Sequence, residues 1–305
     1  MLTFVRPWLP GPGFMLALSA AVLLSLSQPA PGVELALVTG AVALAGLPHG
    51  AADAWIAARE GLARDRLGTA VFLAVYSGLA LLVIAAWLLF PVISLALFLA
   101  ISVWHFGDDS REGLHPVARI STGLIILGAP AVFHATAVSE AYGILSGDRI
   151  AAIVSAQGVL FWLGCVALPL TLALTPARSP LSARATPGRV NHLIEMVVLV
   201  ALAAFLSPLL YFAVYFCGIH SPRHLGRVIR LFPQRSGSGL WGTIAALTLF
   251  TLLAGAAAWG WLTTACQSPD AAGLRVLFIG LAALTLPHML LVDRLSPSLM
   301  RGRNP

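Results

Sequence analysis

The sequence predicts an all-α, polytopic integral membrane bundle of about ten transmembrane helices, a single transmembrane domain over residues 1–305 with both termini cytoplasmic. Three observations carry this. Hydrophobic residues make up 59% of the chain and charged residues 10%, with a mean hydropathy of +0.91, whereas soluble domains are about a quarter charged. The apolar residues fall in runs near the ~20 residues that span hydrocarbon, with roughly 17 as the lower limit. The positive charge is all arginine, because the chain has no lysine. Arginines dispersed through short loops report topology rather than nucleic-acid binding.

The runs are 13–28, 33–57, 67–90, 92–107, 117–138, 151–174, 190–206, 209–224, 240–263 and 273–292. The first, within 1–28, follows Arg6 and reads as a first helix or as a signal-like segment. The stretch 190–224 is too long for one span at about 1.5 Å per residue, and Ser207-Pro208 divides it into a helical hairpin. With the N-terminus inside, 16 arginines face the cytoplasm and only Arg149 and Arg275 face the other side. That bias orients a multi-pass protein of the cell membrane. Arg189 and Arg223 share a side only if an even number of crossings separates them, which supports the hairpin. Cys165, Cys217 and Cys266 are too scattered for a disulfide framework or a thiolate cluster.

Five histidines interrupt these runs, in GLPHGAAD, SVWHFGDD, GIHSPRH and LPHMLLVD: His49, His105, His220, His224 and His288. An ionisable ring at membrane depth is costly unless it lines a cavity or binds something. All five lie near the cytoplasmic ends of the second, fourth, eighth and tenth helices, so separate helices deliver them to one depth. His220 and His224 are four residues apart and share a helical face. Pro48, Pro222 and Pro287 beside them mark local breaks in the helices. Imidazole ligates iron, copper or zinc without adding charge, so the pattern points to a metal or haem site. A haem or quinone electron carrier would need paired histidines on facing helices and would leave the His220–His224 pair unused. A histidine-lined metal transporter would show repeat-related halves, which this sequence lacks.

Asp53 follows His49 by four residues and Asp108 follows His105 by three, so each carboxylate is placed to accept the second N–H of its histidine. Asp109 and Asp293 read as solvated helix ends, and Glu195 has no partner visible in the sequence. His115 in a loop, His134 toward the opposite face and His192 at a helix start read as structural or solvated. Trp104, Tyr211 and Tyr215 are candidates for the wall of an apolar pocket. Trp8 and Trp241 suit an interfacial belt.

The motifs GLPHGAAD, VWHFGDDS and YFCGIHSPRH, in this order on a polytopic chain, resemble the Brp/Blh family of membrane-bound β-carotene 15,15′-dioxygenases. The resemblance runs from the second helix to the last. It implies an Fe(2+)-dependent enzyme that cleaves β-carotene at its central double bond with O2 to give two all-trans-retinal, the product serving microbial rhodopsins. Carried over by motif, the iron-binding and catalytic histidines are His49, His105, His220 and His224, with His288 near the iron or in the pocket. After its first motif this chain continues as the apolar AADAWIAA, where family members often carry further polar residues.

Overall fold

Prolines set where many of the helices begin, because their fixed φ suits the first turn and their missing N–H is not needed there. The computed structural model describes residues 12–27, 29–107, 115–147, 150–175, 185–232, 238–265 and 268–295, and among them only helices, turns and short connections occur. The chain forms α1 (Pro12–Ser27), α2 (Pro31–Ala41), α3 (Leu47–Ala51), α4 (Asp53–Arg59), α5 (Arg66–Leu89), α6 (Pro91–Phe106) and α7 (Pro116–Phe133). It continues through α8 (Ala135–Ser146), α9 (Ala151–Leu174), α10 (Ala185–Phe205), α11 (Pro208–Tyr215), α12 (Ser221–Leu231), α13 (Ser238–Thr264) and α14 (Pro269–Met289). Among the described residues, three π-helical turns, Val42–Gly46, Phe216–His220 and Leu290–Leu295, are set into this chain of helices.

Each run read from the sequence falls on helix. Among the described residues, six helices are long and apolar enough to cross a membrane, namely Pro31–Arg59, Arg66–Leu89, Pro116–Phe133, Ala151–Leu174, Gly239–Thr264 and Pro269–Val292. Leu18–Ser27 and Pro91–Phe106 are shorter apolar helices. The outward surface is that of a lipid-facing bundle: Leu44 is 83% exposed, Phe205 80% and Leu26 77%. Ser207 divides α10 from α11 as the sequence predicts, capping α11 by accepting from Leu210 N at 3.3 Å.

The run 117–138 is not one helix. His134 leaves helical backbone at φ −134°, ψ 46°, ending α7 and starting the separate α8. The run 33–57 is also interrupted, by the first π turn and by a break at Ala52 between α3 and α4. After α4, Gly61 takes φ +87°. Leu62 N donates to Ala57 O at 2.8 Å and Gly61 N to Ala58 O at 3.3 Å, a Schellman closure that only glycine adopts without strain.

Helices in lipid gain little from apolar burial against each other and associate through close packing of small residues. Here α6, α7 and α9 do so. A Cβ on Gly123 of α7 would stand 1.9 Å from the Val103 carbonyl oxygen of α6, and one on Gly107 would stand 2.1 Å from Arg119 O. On the other side, Gly164 of α9 faces Ser121 O, where a Cβ would lie at 2.9 Å. The approach at Gly123 holds the last turn of α6, which ends in His105-Phe106, against the bundle. Gly123→Ala is therefore expected to force α6 and α7 apart at a cost of about 3 kcal/mol or more, read as a lower melting temperature in detergent. Gly78→Ala, whose added Cβ meets nothing within 4 Å, should instead hold or slightly raise the melting temperature, because alanine is the better residue in a helix interior.

Candidate metal centre

Two π turns bring the first histidines together. A proline cannot supply the N–H that the carbonyl four residues earlier expects. Pro48 and Pro222 each follow a π turn, in which the ladder is shifted by one residue: Leu47 N donates to Val42 O and Ser221 N to Phe216 O. π turns of this kind recur at functional sites. The two turns pack on each other at Gly46, whose missing side chain makes room for the Phe216 ring, since a Cβ there would sit 2.7 Å from it. His49 and His220 follow from that contact with ring centroids 5.1 Å apart. The third π turn, Leu290–Leu295, begins two residues after His288.

All five histidines predicted to meet do so. His105 lies 4.8 Å from His220 and 5.3 Å from His288 between ring centroids. His224 lies 4.9 Å from His288 and 5.6 Å from His49, and His49 lies 5.3 Å from His288. The rings form a closed circuit, and every one is buried, from 1% exposed at His220 to 8% at His49. Their helices each start from a proline, Pro31, Pro91, Pro208 or Pro269, and deliver the rings toward the opposite end.

Hydrogen bonds fix two of the rings. His49 Nδ1 donates to the carbonyl of Gly46, in the first π turn. His288 Nδ1 lies 2.9 Å from both carboxylate oxygens of Asp53, which accept from it. Asp53 therefore serves His288 and not His49, as the four-residue spacing suggested. The break at Ala52 starts a new helix at Asp53 and ends the alignment with His49. Tyr76 of α5 donates to Asp53 Oδ2 at 2.9 Å. Sequence reasoning missed Tyr76; the signal was a buried carboxylate that needed a second donor, in a chain where α5 offers a single tyrosine. Asp108 lies outside the described residues.

The remaining residues divide between aromatic wall and scaffold. Phe216 packs against His49 and His220 at 5.4 and 5.5 Å, Phe106 against His220 at 4.9 Å, and Phe212 stacks on Phe216 at 5.2 Å. Tyr215 is buried against Phe106 at 5.2 Å and stands 6.4 Å from His220. Trp104 is at the edge instead, 39% exposed, with the Arg119 guanidinium 3.9 Å from its ring. Glu195 gains the partner the sequence could not show: Arg223, beside His224, is bonded to it at 2.6 Å and ties α12 to α10. His192 is buried 3.0 Å from Thr122 Oγ1, and His115 caps α7 by accepting from Val117 N at 3.3 Å. His192 lies inside α10 and not at the helix start expected from the sequence.

A divalent transition metal suits this donor set. Neutral imidazoles leave the ion its full charge. His105 Nδ1 and His224 Nε2 are buried without a hydrogen-bond partner among the described residues, an expensive state for a ring nitrogen unless a ligand takes it. Donor atoms of Asp53, His224 and His288 also lie within 4.8 Å of one another. Asp53 is better placed as a hydrogen-bond acceptor than as a ligand, since His288 and Tyr76 already occupy its oxygens.

The fold and site define a helical membrane protein with a histidine-built centre inside the bundle. The family described as beta-carotene 15,15′-dioxygenase matches residues 40–296, which include all five histidines, and the chain belongs to that family. A beta-carotene 15,15′-dioxygenase of uncultured marine bacterium 66A03 is 31% identical over 258 residues, covering 83% of this chain and 90% of the relative. A probable beta-carotene 15,15′-dioxygenase, Blh, of Halobacterium salinarum is 27% identical over 313 residues, covering 90% of this chain and 87% of the relative. No solved structure matches the chain.

The hydroxyl of Tyr211 mends a helix. Pro130 inside α7 has no N–H for the carbonyl of Ile126, and Tyr211 OH donates to that oxygen at 3.0 Å. Tyr211→Phe leaves the carbonyl buried and unsatisfied, at a cost of about 1–3 kcal/mol. In a Pro130→Ala background the backbone N–H returns, so the same substitution should cost much less. A double-mutant cycle of melting temperatures checks this, and equal losses in both backgrounds would contradict it.

Proposed function

We propose that this protein is an Fe(2+)-dependent dioxygenase that cleaves β-carotene at its central 15,15′ double bond with O2 to give two all-trans-retinal. One observation carries the reading: five imidazoles from four separate helices converge in the interior of the bundle, within the segment the family matches. His49, His105, His220 and His224 would hold the iron, which when bound supplies the activation of O2 that the reaction requires. The protein's own residues do the rest. The imidazoles contribute no negative charge, and Phe106, Phe212 and Phe216 present an aromatic surface suited to a flat polyene beside the rings. Burial keeps bulk water from the site, and rigid helices hold the substrate's centre in register with the donors.

The arginine distribution supports ten crossings with both ends on the cytoplasmic side of the cell membrane, and retinal is then released where a microbial rhodopsin can take it up. β-Carotene is about as long as the hydrocarbon core, ~30 Å. With its centre at a cluster near one end of the bundle, it lies more along the membrane plane than across it, entering from lipid between helices.

Expression in cells that accumulate β-carotene tests the reading. Orange colour should fade and retinal appear, only with iron and oxygen supplied. His220→Ala and His224→Ala should abolish retinal formation while leaving membrane insertion intact, and His115→Ala should be nearly silent. Unchanged carotene in cells holding folded, iron-loaded protein would overturn the assignment.

A further inference from the structure

We infer that His288 is a fifth donor of the metal centre, and that Asp53 and Tyr76 are positioning residues that hold its ring for that purpose. The inference rests on the metal reading above and extends it to residues outside the four-histidine set. His288 is not peripheral: its ring lies 4.9 Å from His224 and 5.3 Å from both His49 and His105. It thus adjoins three of the four other histidines and is 3% exposed.

The local structure of His288 shares its proline and neighbouring π turn with two of the assigned donors, His49 and His220. His49 follows Pro48 and a π turn, and His220 ends a π turn just before Pro222. His288 follows Pro287 and precedes the π turn Leu290–Leu295. Its outer hydrogen bond is also of the kind that orients a ligating histidine. A ring whose Nδ1–H is held by a carboxylate has its tautomer fixed and must coordinate through Nε2. His49 has the same arrangement with a backbone carbonyl in place of the carboxylate.

Asp53 is itself over-determined. It is 2% exposed, both its oxygens lie 2.9 Å from His288 Nδ1, and Tyr76 OH donates to Oδ2 at 2.9 Å. A desolvated carboxylate is costly without such donors and a nearby cation. A metal ion across the imidazole supplies the positive charge. Tyr76, whose hydroxyl is also 3.4 Å from Leu284 O, carries the chain of contacts from α5 to α14, one turn before His288. Three helices therefore converge to aim one ring.

The test uses the full-length protein in detergent, loaded with iron(II) against a competing chelator and, separately, with cobalt(II) as a spectroscopic probe. Asp53→Asn keeps the shape and removes the charge, and is expected to weaken iron binding 10–100-fold. Tyr76→Phe should weaken it several-fold. His288→Ala should change the visible cobalt(II) spectrum, as loss of a nitrogen donor requires, whereas a merely structural Asp53–His288 pair would leave that spectrum alone. Iron affinities within twofold of the unsubstituted protein in all three, with an unchanged cobalt spectrum, overturn the inference. If His288→Ala or Asp53→Asn does not accumulate folded, Tyr76→Phe decides, because it leaves ring and carboxylate in place. Failure of the unsubstituted protein to bind iron and form retinal refutes the metal reading itself; success there with indifferent variants refutes only the role of His288.

Discussion

Five imidazoles and a carboxylate are buried inside a bundle whose outer surface is apolar, and their desolvation is the constraint around which the structure is built. Each ring brings two nitrogens that water would satisfy in solution, and hydrocarbon offers nothing in return. The chain meets the cost with partners contributed by itself, Gly46 O for His49 and Asp53 for His288, and by turning the rings toward each other. A bound cation would complete the arrangement, because several ring nitrogens would then share one partner rather than each requiring its own.

Prolines and π turns make the convergence possible. A straight α-helix presents residues on a fixed face, and four such helices would have to be in register to focus five rings. Pro48 and Pro222 interrupt the ladder, the π turns take up the extra residue, and the missing side chain at Gly46 makes room for the Phe216 ring. The same logic runs in reverse at Pro130, where Tyr211 repairs the ladder instead of exploiting its gap. Glycines at 107, 123 and 164 then let α6, α7 and α9 close to backbone contact, so that His105, at the plain end of a regular helix, reaches rings carried on distorted ones.

Much of this was legible in the sequence, because burial in lipid leaves a strong mark. Apolar runs located the helices, and the histidines inside those runs are the ones whose rings converge. What was not legible depended on where a helix bends. The spacing from His49 to Asp53 implied one helical face, but the break at Ala52 turned Asp53 toward α14 and α5. The bond from Tyr211 to Ile126 O was invisible because nothing in the local sequence reveals a freed carbonyl on another helix. Glu195 and Tyr76 had no visible purpose until distant segments supplied Arg223 and Asp53. His134, placed inside one run, proved to separate two helices.

In the proposed centre the histidines would converge on a single metal ion. X-ray absorption at the iron edge of the iron(II)-loaded, full-length protein addresses it most directly. One class of iron should appear, with a first shell of nitrogen and oxygen only and the outer-shell multiple scattering that imidazole rings produce. A sulfur scatterer, a short iron–iron vector, or a shell without imidazole scattering would contradict it.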